Sequence, residues 1–216
     1  MKKTPKSPQS SNFIKTIFSR ENIEAIVIAV VLALIIRSFV VQAFKIPSGS
    51  MEPTLLIGDH ILVSKFIYGI TIPFTEKTLF QFKTPKRDDV IVFIYPEDPS
   101  KDFIKRVIGL EGDKIHIKNK QIYINDKPYQ DDYGFYSDRD IIQKWSQGGK
   151  RDNMGPITVP ANKLFVMGDN RDKSYDSRFW GFVDVSKVKG KAFLIYWSWE
   201  SLFNNIRWNR IAMVIH

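Results

Sequence analysis

Residues 45–55 read K-I-P-S-G-S-M-E-P-T-L, with two serines around a glycine and prolines at 47 and 53. Proline at both positions excludes regular helix through the stretch, and Gly49 permits backbone angles closed to other residues. Ser48 and Ser50 therefore sit on an irregular loop, which can present a side-chain hydroxyl together with the peptide N–H beside it. A nucleophile with an oxyanion hole requires that combination. The same residue types make plain linkers, so the loop gains chemical meaning only with a base.

Histidine is the usual base for a serine, and the chain has three: His60, His116 and His216. A Ser-His-Asp arrangement through His60 is conceivable, but no G-x-S-x-G elbow accompanies it. Lysine is the other choice, provided that it is deprotonated. Its ordinary pKa of about 10.4 must then fall by burial. Most lysines here lie in polar runs such as K-T-P-K-R-D-D (83–89). Lys105 differs. In D-F-I-K-R-V-I-G (102–109) the strand period puts Phe103, Lys105 and Val107 on one face and Ile104, Arg106 and Ile108 on the other. A lysine between apolar neighbours on its own face is the best buried-amine candidate in the chain, although such a side chain can also run along a sheet to water. The acid-rich run G-D-N-R-D-K-S-Y-D-S-R (168–178) fails a calcium-loop count: from Asp172, position six is Ser177 and position twelve is Val183. There is no cysteine, which excludes disulfides and thiolate zinc sites. The chemistry calls for no metal and no cofactor.

The elements that must position these groups are mainly strands. H-I-L-V-S-K-F (60–66), V-I-V-F-I-Y (90–95), F-I-K-R-V-I (103–108), K-I-H-I-K (114–118), Q-I-Y-I-N (121–125), L-F-V-M (164–167) and A-F-L-I-Y-W (192–197) are rich in β-branched and aromatic residues. The two runs around Asn119-Lys120 predict a hairpin. Polar, turn-rich residues 129–160 belong to a smaller lobe, expected over about 117–160 and inserted in the β core. The aromatic C-terminal run predicts a last strand burying Trp197 and Trp199 on one face, with Trp208 suited to lipid headgroups.

Ahead of the loop, 17 of the 20 residues from Ala25 to Phe44 are apolar. That is about the length that crosses a bilayer core. A cleavable secretory signal is the rival reading, but the apolar stretch resumes after Arg37. The net charge is +9, and Lys2, Lys3, Lys6, Lys15 and Arg20 supply five of those charges with no acid among residues 1–20. That distribution argues against a nucleic-acid partner and, by the positive-inside rule, for a cytoplasmic N-terminus. The expected division is a basic cytoplasmic tail (1–21), a transmembrane helix (22–44) and an extracytoplasmic β domain (45–216). The fold class is mainly β: antiparallel sheets forming a catalytic core, the inserted β lobe, and one N-terminal membrane helix. Phe44 and Ser50 are separated by at most about 20 Å of extended chain, so the nucleophile would work at the outer membrane face.

The blocks P-S-G-S-M-E-P-T-L (47–55), G-D-H-I-L-V-S-K-F (58–66), K-R-V-I-G-L-E-G-D (105–113) and G-D-N-R-D-K-S-Y-D-S-R-F-W-G-F-V (168–183), in this order after one apolar segment, resemble the bacterial type I signal peptidases. The resemblance implies a membrane-bound serine endopeptidase with a Ser/Lys dyad: Ser50 as nucleophile, Lys105 as general base, the Ser50 N–H and Ser48 hydroxyl as oxyanion hole. It further implies that Ser174 orients the lysine and that Asp176 and Arg178 form an ion pair near the site. Substrates would be secretory preproteins, bound as an added strand and cut after small residues of the Ala-x-Ala kind, beside the export translocon at the bacterial plasma membrane. Phe44, Ile46, Met51, Leu55, Phe103 and Ile104 would line the shallow pockets. Glu111 and Lys173 depart from the family's common proline and asparagine, which puts two turns in doubt. A self-cleaving Ser/Lys regulator and a non-catalytic anchored β-module are the competing readings.

Overall fold

The structure, a computed structural model, describes residues 20–71, 78–81, 83–201 and 204–216. The basic tail therefore lies outside the described residues, apart from Arg20 and Glu21. The first element is helix α1 (Arg20–Phe39), whose side chains from Arg20 to Leu34 are all exposed. Ile23, Ile26, Val27, Ile28, Val30, Val31, Leu32 and Leu34 are among them. Among the described residues no helix is long and apolar enough to cross a membrane. The helix also stops five residues short of the expected limit at 44. Strand β1 (Val41–Lys45) takes over and pairs antiparallel with β2 (Asp59–Ser64). The β-branched Val40-Val41 pair and a waiting partner strand account for the switch, because side-chain packing across a ladder outweighs helix continuation there.

Short strands β3 (Gly69–Thr71) and β4 (Thr78–Gln81) form a hairpin apart from the main sheet. Then follow β5 (Val90–Ile94) and β6 (Asp102–Gly109), the strand of Lys105. β7 (Lys114–Lys118), β8 (Gln121–Ile124), β9 (Lys127–Pro128) and β10 (Met154–Thr158) make a four-stranded sheet of order β10-β7-β8-β9. This sheet lies over the stretch expected as an inserted lobe, and it begins at Lys114 rather than 117. The predicted hairpin is present: Asn119 and Lys120 both take positive φ, 50° and 71°, as a two-residue turn between twisted strands requires. The chain returns to the core with β11 (Lys163–Met167), the short helix α2 (Ser177–Trp180), β12 (Val183–Asp184), the long β13 (Val188–Ser201), β14 (Asn204–Ile206) and β15 (Met213–Val214).

Nine strands form the main sheet, in order β1-β2-β13-β5-β6-β11-β12, with β14 and β15 paired to β13. All its pairings are antiparallel. β2 alternates buried and half-buried residues, which sends Ile61 and Val63 inward. They join Ile46, Met51, Leu55, Val90, Val92, Ala192 and Ile195 in one cluster. A second cluster, with Ile91, Phe93, Val107, Leu164, Val166 and Val183, gathers around the middle of β5, β6 and β11. Isoleucines of the lobe pack with Ile108 and Phe165 in a third. Lys105 lies on β6 among these layers and is buried.

Candidate active site

The loop between β1 and β2 is closed at its neck, where the Ile46 N–H donates to Asp59 O (2.8 Å) and the Gly58 N–H to Ile46 O (3.0 Å). Inside it, a single 3₁₀ turn spans Gly49–Met51. Ile46, Met51 and Leu55 drop into the first core cluster, at 2%, 0% and 0% exposure. Burial of side chains of this size stabilises by roughly 1.5–3 kcal/mol each, so the loop is fixed by apolar anchors and not by regular structure. Thr54 adds a polar anchor, its hydroxyl donating to Asp169 Oδ2 at 2.6 Å. Ser50, one residue before Met51, is left with its hydroxyl outside the cluster.

Lys105 Nζ lies 2.8 Å from Ser50 Oγ and donates to Ile104 O at 2.9 Å. The residue is only 4% exposed. Burial pushes the amine down from 10.5 to about 8; Asp176 and Asp169 pull it upward, and Arg178 pushes it further down. The same strand places its alternate residues as the pleat requires: Ile104 packs against the first cluster, Phe103 and Val107 belong to the second. Ser48 Oγ lies 3.4 Å from Ser50 Oγ. His60 is elsewhere. Its ring sits edge-on to Tyr196 and Trp199, 5.8 and 5.5 Å away between centroids, so the Ser-His60 alternative falls.

The segment after β11 closes the site from the other side. The Asn170 N–H donates to Ser50 O (3.1 Å), and its side-chain amide reaches Gly49 O (3.3 Å). Gly168 permits this approach: a Cβ there would lie 2.3 Å from both Ser50 O and Ser174 Oγ. Ser174 is buried, accepts the Gly168 N–H at 3.2 Å and hydrogen-bonds the Asp176 carboxylate. Asp176 and Arg178 form a buried ion pair at 2.8 Å, with Arg178 Nε and Nη2 donating to the two carboxylate oxygens. Arg178 holds the Asp176 carboxyl below the usual carboxylate range, against the upward push of its burial.

A second buried pair escaped the sequence reading. Arg106 and Asp169, both fully buried, join through Nε–Oδ1 at 2.8 Å and Nη2–Oδ2 at 2.7 Å. Arg106 follows Lys105, and Asp169 receives Thr54, so the pair links β6 to the serine loop. The only signal for it was an arginine placed by the pleat on a face otherwise apolar, opposite Lys105.

Comparison with known proteins shows the family of this chain. The profile of the family described as "Signal peptidase, peptidase S26" matches residues 19–197. The chain belongs to that family. Among similar proteins are a Signal peptidase I of Pseudomonas fluorescens, 39% identical over 197 residues that cover 78% of this chain and 69% of the relative. Another is from Aquifex aeolicus, 34% identical over 231 residues, with 83% and 84% covered. A crystal structure of a signal peptidase I from Enterococcus faecalis V583 overlaps in part: 51% of this chain, 98% of that one, 29% identity and a TM-score of 0.41.

In this peptidase S26 chain the expected pocket residues divide. Met51 and Leu55 have no exposed surface and Ile46 almost none, and all three pack in the cluster that anchors the loop. Phe44 and Ile104 are half-buried against the same cluster, and Phe103, also half-buried, stacks on Tyr95 with ring centroids 4.1 Å apart. The two departures from the family pattern leave the turns intact. Glu111 accepts the Asn162 N–H at 2.8 Å in place of a proline's rigidity, and Lys173 is exposed with its N–H on Asn170 O at 3.1 Å. Trp197 and Trp199 lie on β13, half-buried and edge-to-face at 6.3 Å, while Trp208 is 71% exposed.

Proposed function

We propose that this chain is a membrane-anchored serine endopeptidase that removes N-terminal signal peptides from exported preproteins. The observation that carries the reading is a buried amine, Lys105 Nζ, 2.8 Å from the Ser50 hydroxyl oxygen. At pH 7 an amine of pKa about 8 is neutral in roughly one molecule in eleven, against about three in ten thousand at 10.5. Burial thus raises the share of competent base about 300-fold.

Lys105 takes the Ser50 proton as Oγ attacks the scissile carbonyl. The resulting oxyanion is received by the Ser50 N–H and the Ser48 hydroxyl, each such donor contributing about 3–4 kcal/mol to the transition state. The ammonium of Lys105 then protonates the departing amine as the C–N bond breaks, leaving an acyl-enzyme on Ser50. Water, deprotonated by the same lysine, releases the signal peptide and restores the hydroxyl. Ser174 steers the amine toward Ser50, and the Asp176–Arg178 pair holds Ser174.

The preprotein binds as an added strand. β1 ends the main sheet and runs directly into the serine loop, so an extended segment along it would bring its small residues past Phe44, Ile104 and Phe103. The run of exposed apolar side chains on α1 supports an anchor in the bacterial plasma membrane, on which reading the basic tail (1–21) is cytoplasmic and the sheets lie on the far side, beside the translocon. The test is cleavage of a preprotein bearing Ala-x-Ala by the detergent-solubilised chain, with Ser50→Ala and Lys105→Met alongside. Both variants are expected to lose cleavage, and log kcat/KM of the wild type should rise by about one per pH unit until it levels near pH 8. Equal cutting by all three overturns the dyad.

A further inference from the structure

The inserted lobe reaches the site through one segment that the mechanism above does not use. Residues 131–135, between β9 and β10, run along the outside of residues 168–171. The Phe135 N–H donates to Asp169 O at 2.7 Å, and the Arg171 N–H returns to Phe135 O at 2.9 Å. Asp131 grips Arg171 through two bonds of 2.8 and 2.6 Å, and Arg171, with no exposed surface, also donates to Gly168 O. The ring of Tyr133 lies over the Arg106 guanidinium, 3.7 Å from Cζ to centroid. On the opposite edge the same four residues hold Ser50 O and Gly49 O through Asn170.

We propose that Asp131–Phe135 is a positioning strap for the reaction: it fixes residues 168–171 and the Arg106 plane, and through them the placement of the Ser50 loop against Lys105. The rationale is geometric. Arg106 is adjacent to Lys105 on β6, and its donors are committed to Asp169, Asp88 O and His216 O. Tyr133 covers the face of that planar group, where an aromatic π cloud favours a cation and keeps water out. If the ring is removed, water reaches Arg106, the Arg106–Asp169 pair loosens, and Thr54 and Asn170 carry the slack to the serine. Reacting groups displaced by about 1 Å cost about a hundredfold in rate. Tyr133 touches neither Ser50 nor Lys105, so it is a positioning residue, and the proposal rests on the dyad reading.

The experiment measures kcat and KM for an Ala-x-Ala preprotein with the full chain in detergent, corrected for the folded fraction from thermal melts. Tyr133→Ala, Tyr133→Leu, Tyr133→Phe and Asp131→Asn are compared with wild type and Lys105→Met. Tyr133→Ala, Tyr133→Leu and Asp131→Asn should lower kcat about ten- to a hundredfold with KM within about twofold, and Tyr133→Phe, which keeps the ring, should restore it. A purely structural role predicts loss of folded protein with normal kcat per folded molecule; that outcome, a rise in KM alone, or failure of Tyr133→Phe to restore kcat overturns the strap. Should Tyr133→Ala not fold, Tyr133→Leu and Asp131→Asn decide between the two outcomes. Wild-type cutting by Lys105→Met would instead remove the dyad beneath the proposal, a result separable from the others.

Discussion

Lys105→Met should abolish cleavage and, near neutral pH, stabilise the chain. The amine sits at about 8 in the folded protein against 10.5 ordinarily. That interval corresponds to a burden on the charged form of about 3 kcal/mol. Below pH 8 the lysine is charged in both folded and unfolded chains, and the whole burden falls on the fold. Between about 8 and 10.5 the folded chain has released the proton while the unfolded chain still binds it, so wild-type stability climbs by about 1.4 kcal/mol per pH unit. Above 10.5 the burden is gone. Methionine carries none of it but forfeits the hydrogen bonds to Ser50 Oγ and Ile104 O, about 1 kcal/mol each. The variant should therefore lead by about 1 kcal/mol at pH 7 and trail wild type by about 2 kcal/mol at pH 10.5. Thermal melts of both proteins in the same detergent from pH 7 to 10.5 read this out. At about 2–4 °C per kcal/mol for a chain of this size, the Tm difference should swing by roughly 6–12 °C and change sign. Groups common to both proteins cancel in the difference. Parallel Tm curves would mean that the amine is solvated when folded, and the general-base argument would fall with it.

Ser48→Ala should lower kcat about 10²–10³-fold with little change in KM, measured on the same preprotein, because the hydroxyl acts only on the developing oxyanion. Gly168→Ala should lose most activity and be less stable to heat, since its methyl would press on Ser50 O and Ser174 Oγ, each 2.3 Å from the new carbon; a fully active Gly168→Ala would show that the loop tolerates displacement. Asp176→Asn and Arg178→Gln should move the rising limb of the pH–rate profile in opposite directions, downward for Asn and upward for Gln, because Asp176 raises and Arg178 lowers the Lys105 pKa. Removal of residues 1–39 should release the chain from membranes washed with alkaline carbonate, and continued sedimentation with vesicles would place the contact on the β domain instead.

Strand content was readable because the β-branched and aromatic runs are long and their separators are strong turn signals; the hairpin at Asn119-Lys120 follows from two residues alone. Lys105 was also readable, since period-two alternation in a short apolar run tells which neighbours share its face. What the chain concealed depends on pairing across long separations. Arg106 and Asp169 are 63 positions apart, and nothing local in either marks a buried pair. The burial of Met51 and Leu55 was hidden for the same reason, because position beside a serine says nothing of direction, and here both point into the core. The helix limit at Phe39 was missed because apolar residues resume after Arg37-Ser38 and carry on into β1, and composition cannot separate a half-buried strand from the end of an apolar helix.

A lysine of lowered pKa beside so many ions poses a physical problem that this fold solves by pairing them. Asp176 and Asp169 both favour the ammonium, and either carboxylate left alone at short range would return Lys105 toward its ordinary pKa. Each instead meets an arginine through two hydrogen bonds: Arg178 for Asp176, Arg106 for Asp169. Paired in this way, their distant fields largely cancel, and desolvation remains the dominant influence on the lysine. The arginines could not simply be dispensed with in favour of apolar residues, because the carboxylates hold the Gly168 N–H and the Thr54 hydroxyl and so shape the two loops that meet at Ser50. The loops need anions to order them and the base needs those anions silenced. Two buried ion pairs satisfy both requirements at once, and on the proposed dyad they explain why a lysine that must lose its proton is surrounded by four full charges.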